Sequence, residues 1–93
     1  LEYLISKQTL KTAQTYGLRD RGALLPGMRA DINIIDYDNI ALTKPCLSYD
    51  LPAGGKRLIQ KANGYNHTFV KGVEVSHNGE FTGELPGKLI RGN

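Results

Sequence analysis

Apolar side chains at Leu1, Leu4 and Ile5 fall at the i, i+3, i+4 spacing of one buried helical stripe. The next group, Leu10, Ala13 and Tyr16, makes a second stripe displaced from the first. Ser6, Thr9 and Thr12 offer hydroxyl oxygens for capping a new helix start between the two. The pattern therefore predicts two short helices, or one broken helix, ending at Gly17, which can take the left-handed backbone that closes a helix. The first stripe opens at Leu1 with neither an initiator Met nor a capping residue before it, which reads as a cut. A stripe this short does not hold a helix in water by itself. We expect it to pack against something, much of it upstream of Leu1.

From Gly22 onward Gly and Pro recur every several residues, a spacing that suits short strands joined by turns. Stretches 31–36, 57–60, 67–70 and 73–76 have the β-branched or aromatic content of strands. Ile32, Ile34 and Ile35 make the first of them apolar enough to be covered on both faces. Lys71-Gly72 is a tight connection between strands ending at Val70 and starting at Val73, a hairpin signal. Asn78-Gly79 is a second turn candidate, Asn63-Gly64 is placed to join two extended segments, and residues 86–93 read as an irregular tail. There is no internal repeat and no low-complexity region.

Composition narrows the class without naming a function. Ninety-three residues make one domain at most, with a modest core, and 40% apolar against 23% charged residues is a globular balance. No apolar run reaches bilayer length and the start has no signal-peptide pattern, so we expect a soluble, cytoplasmic protein and no membrane partner. The net charge of +3 is spread among nine carboxylates, with no basic run longer than Lys56-Arg57, which argues against nucleic acid.

The residues that carry chemistry do not assemble into a recognisable motif. His67 and His77 are ten apart with a turn between them, outside any H-x-x-x-H or H-E-x-x-H arrangement, and Cys46 stands alone. We read the histidines as hairpin and loop side chains and Cys46 as a small, partly buried one. Gly54-Gly55-Lys56 lacks the flanking residues of a phosphate loop and reads as a flexible turn. In Arg19-Asp20-Arg21 we expect helix-end contacts and local pairing. Asn66-His67-Thr68 is a glycosylation sequon without a secretory signal. The five tyrosines are too dispersed for a stacking platform and default to ordinary packing.

One stretch is more specific. Residues 16–36 run Gly17-Leu18, then Asp20-Arg21-Gly22, then Leu24-Leu25-Pro26-Gly27, then Ala30-Asp31 before the isoleucine strand ending at Asp36. This resembles the hallmark of the C-termini of metal-dependent amidohydrolases: G-L-x-D-R-G, L-x-P-G, A-D-hydrophobic, then a strand ending in Asp. Residues 50–60, with Asp50-Leu51-Pro52-Ala53-Gly54-Gly55, and residues 82–92, with Thr82-Gly83-Glu84-Leu85-Pro86-Gly87, are similar to the N-acyl-D-amino-acid deacylase (D-aminoacylase) branch in particular.

The resemblance implies a mainly β fold with short N-terminal helices. Residues 1–17 are then the terminal helices of a missing (β/α)8 barrel, and residues 18–93 the C-terminal part of the composite β-sandwich beside it. Strands from before the barrel complete such a sandwich, so the implied partners are the rest of the parent chain, with self-association of the isolated piece expected. The parent would hydrolyse N-acyl D-amino acids or related linear amides with one or two divalent metals, usually zinc. The family's ligand motifs lie upstream of the position of Leu1, so the resemblance assigns no catalytic, cofactor or metal residue here, and the segment alone is expected to be inactive. Two rivals remain: a cyclic-amide hydrolase parent of hydantoinase or dihydroorotase type, and an autonomous β-rich binding module. A basic nucleic-acid module ranks behind both.

Overall fold

The computed structural model describes residues 1–91. It is mainly β, with two short helices leading into eight short strands in antiparallel sheets. Helix α1 (Glu2–Gln8) and helix α2 (Leu10–Thr15) are separated at Thr9, whose φ of −116° and ψ of −86° break the helical path. The out-of-phase stripes thus mark a real break. The expected hydroxyl caps are absent, because at that backbone geometry the side chains turn back onto the preceding turn. Thr9 Oγ1 donates to the Ile5 carbonyl (2.7 Å), and Thr12 and Thr15 donate to Lys7 O and Lys11 O.

Gly17 closes α2 as its position predicts. At φ +72° it lets Leu18 N–H reach Ala13 O (2.8 Å) while its own N–H meets Gln14 O (3.2 Å), the paired bonds that satisfy the last helical carbonyls. The chain then bends back on α2 at Gly22.

The main sheet has the order β1-β6-β7-β8, from β1 (Ile32–Ile35), β6 (Tyr65–Val70), β7 (Val73–His77) and β8 (Glu80–Phe81). Lys71-Gly72 and Asn78-Gly79 both have positive φ at each residue, the two-residue turn whose twist matches antiparallel strands. Gly64 carries the chain out of a second sheet, β2 (Ala41–Leu42) with β5 (Ala62–Asn63), into β6. A third sheet pairs β3 (Cys46–Ser48) with β4 (Arg57–Ile59), joined around a 3-10 turn at Pro52–Gly54 and tied by the Arg57–Asp50 ion pair. Residues 82–91 carry no helix or strand, and the end of the expected tail, Gly92 and Asn93, lies outside the described residues.

The Ala30-Asp31 step of the motif locks the hairpin to β1. Ala30 O accepts from Gly72 N–H (2.9 Å), and Asp31 Oδ1 accepts from Lys71 N–H (2.9 Å) and Arg29 Nε (2.8 Å). Partial burial pushes the Asp31 carboxyl up, but these donors outweigh it and hold the group below its ordinary value. Asp20 in turn is paired with Arg21, as its neighbourhood predicts, and its carbonyl accepts from Arg29 N–H.

What the fold lacks is a core of its own. Ala13, at 4% exposure, is the one buried apolar residue among those described. A folded monomer of this mass exposes about 5,300 Å², whereas this chain exposes 7803 Å², an excess of about 2,500 Å². Its radius of gyration is 15.6 Å against about 12 Å for a compact domain of this length.

Three expectations change accordingly. The isoleucine strand is not covered on both faces: β1 is an edge strand with Ile34 and Ile35 exposed. Cys46 is exposed rather than partly buried, because its two-stranded sheet has no layer over it. The tyrosines are largely exposed rather than packed. No helix among the described residues is long and apolar enough to cross a membrane.

Two substitutions test these supports by urea unfolding of the natural full-length chain. A Cβ at Gly64 (φ +98°) would sit 2.8 Å from Ile40 Cα and 3.1 Å from Asp36 O, so Gly64→Ala is expected to cost about 1–3 kcal/mol. Asp31→Ala removes the bonds that pin the hairpin and is expected to cost about 1–2 kcal/mol. Unchanged midpoints would show that neither contact constrains the fold.

Candidate functional site

The groups with chemical capacity converge on the β6–β7 hairpin. His67 and His77 are register partners, so their side chains leave the same face of the sheet. Glu74 joins them because of an irregularity. Between Thr68↔Ser76 and Phe69↔Glu74 the pairing skips Val75. In an unbroken strand, residues three apart point to opposite faces; the extra residue brings Glu74 onto the face of His77.

The result is a triangle of polar atoms. Glu74 Oε1 lies 2.6 Å from His67 Nδ1 and 3.0 Å from His77 Nδ1, and the two Nδ1 atoms are 3.2 Å apart. The rings meet edge to face at 4.8 Å between centroids, and Phe69 lies beside His67 at 6.1 Å. The His67 side chain is 34% exposed and that of His77 55%, so the cluster opens to solvent on the His77 side. Hydrogen bonds from His67, then from His77, hold the Glu74 carboxyl below its ordinary value, with desolvation pulling the other way.

His67, Glu74 and His77 form the one group of three or more potential metal ligands among the described residues. Cys46 is not part of it. The sequence shows both histidines but gives no hint of Glu74, since the register slip that recruits it leaves no mark in residue type. Nothing in the arrangement offers a nucleophile beside a base. A groove lined by Val70, Val75, Phe81, Leu85 and Pro86 lies where the tail passes the end of the sheet, and it is apolar, with Glu84 as its one ionisable lining residue.

The depressed Glu74 carboxyl has a definite consequence in acid. A carboxylate whose folded pKa is lowered stabilises the fold above its unfolded pKa, and the contribution is lost as pH falls through the folded value. Carbon-13 carboxyl titration by NMR is expected to place Glu74 below an ordinary glutamate, and His67→Ala to move it back up. A Glu74 midpoint indifferent to that substitution would contradict the assignment.

Compared with protein-family models, curated proteins and solved structures, the chain has no match.

Proposed function

We propose that this chain is the non-catalytic C-terminal segment of a metal-dependent amidohydrolase that hydrolyses N-acyl D-amino acids or related linear amides. Residues 1–17 are its last barrel helices and residues 18–93 part of the composite β domain that buttresses the barrel. The observation that carries the reading is the excess of exposed surface. About 2,500 Å² beyond the monomer expectation is of the size one partner contributes to a large obligate interface. It includes the groups that the reading needs covered: Leu1 just before α1, Leu4 and Ile5 on it, and Ile34 and Ile35 on edge strand β1. The resemblance over residues 16–36, 50–60 and 82–92 supplies the identity of what covers them.

The zinc implied for the parent is not assigned to this chain. Barrel enzymes hold their metal at the C-terminal ends of parallel strands, whereas His67, Glu74 and His77 stand on an antiparallel hairpin. No catalytic step is therefore given to these residues. The segment's task is mechanical: it supplies sheet edges and an apolar helix face to the rest of the parent.

The natural full-length chain is expected to release the acyl group from N-acyl D-amino acids and to lose that activity on chelation, while residues 1–93 alone self-associate and do neither. Preference for hydantoins or dihydroorotate would move the parent to the cyclic-amide branch. Hydrolysis by the 93-residue chain alone, undiminished by a chelator, would overturn the reading.

A further inference from the structure

We infer that His67, Glu74 and His77 form a binding site for a divalent transition metal of the zinc class, outside any barrel centre and independent of the deacylase reading. The geometry of the triangle is the first ground. Three polar atoms lie within 3.2 Å of one another, yet hydrogen bonding satisfies only two of the three edges. If both Nδ1 atoms carry hydrogens and donate to Glu74 Oε1, the two donors face each other across the third edge. If either ring presents its lone pair there, its contact with the carboxylate sets acceptor against acceptor. A cation bound to all three lone pairs removes that conflict.

The dimensions suit such an ion. Tetrahedral zinc with bonds of about 2.0–2.1 Å separates its donors by roughly 3.3–3.4 Å. The edges here are 2.6, 3.0 and 3.2 Å, so the cluster must open by less than about 1 Å to reach that spacing. Half-exposed side chains on a strand pair can make that adjustment without disturbing a packed core. The ion then sits above the triangle on the solvent side, with its remaining position open.

The donor set selects the metal. Two imidazoles and one carboxylate suit zinc and its first-row neighbours. They do not suit calcium or magnesium, which take six or more oxygens or a largely hydrated shell. The site is also built rather than incidental. The register slip at Val75 puts Glu74 on the histidine face, and the Asn78-Gly79 turn fixes the end of β7 that carries His77.

The test is zinc content of the natural full-length protein after dialysis against buffered zinc, compared with His77→Ala and Glu74→Gln. His77 is the most exposed of the three, so its removal spares the fold, and Glu74→Gln keeps the shape while removing the charge. Wild type is expected to hold one equivalent more than either variant. Competition with a chromophoric chelator is expected to show that equivalent weakened more than about 100-fold, beyond the loss of a supporting partner. Cobalt substitution is expected to add visible d–d bands in wild type that both variants lack. Equal zinc content in wild type and both folded variants would overturn the proposal. A missing barrel metal or absent hydrolysis would count against the deacylase reading and leave this comparison intact.

Discussion

The described residues, divided among two helices and three separate sheets, bury only one apolar side chain fully, and most features of the molecule follow from that shortage. Two of the sheets have only two strands each, and a lone strand pair has marginal stability in water. The helices bury one alanine between them and the loop that follows. What keeps the strands in order is backbone geometry at a few points. Two positive-φ turns fold β6, β7 and β8 into a meander, Asp31 fastens the first turn to β1, and Gly64 allows β6 to pass against residues 36–40. These restraints set the register without supplying the apolar layer that would stabilise it.

That division explains what the sequence revealed. The break between the two helices was legible from their displaced apolar stripes, and the closure at Gly17 and the turns at Lys71-Gly72 and Asn78-Gly79 from local conformational preference. Most of the length of the strands at 32–35, 57–59, 65–70 and 73–77 was legible, from the β-branched or aromatic content of 31–36, 57–60, 67–70 and 73–76. Strands β2, β3 and β8, of two or three residues each, were not, because so short a run carries little pattern, and β5 showed only as an extended segment leading into Asn63-Gly64. Burial was misjudged for Ile34, Ile35, Cys46 and the tyrosines for a single reason. A residue type predicts a wish for cover, and whether cover arrives depends on which other chain segments are at hand.

The histidine–glutamate cluster shows the same limit from the other side. His67 and His77 are ten apart, a spacing that becomes adjacency only once the hairpin register is known. Glu74 is further hidden, since strict alternation would send it to the opposite face from His77, and only the slip at Val75 reverses this. A bulge that changes the direction of one carboxylate brings a third potential donor beside two hairpin histidines.

On the proposed reading, the remainder of a parent chain covers the apolar surface that Ile34, Ile35 and the first helix leave open. Amide hydrogen exchange at Ile32–Ile35, compared between the 93-residue chain in dilute solution and the natural full-length protein, tests it most directly. The account predicts weak protection in the short chain and strong protection in the parent. Equal and strong protection in both, with the short chain a compact monomer, would contradict it.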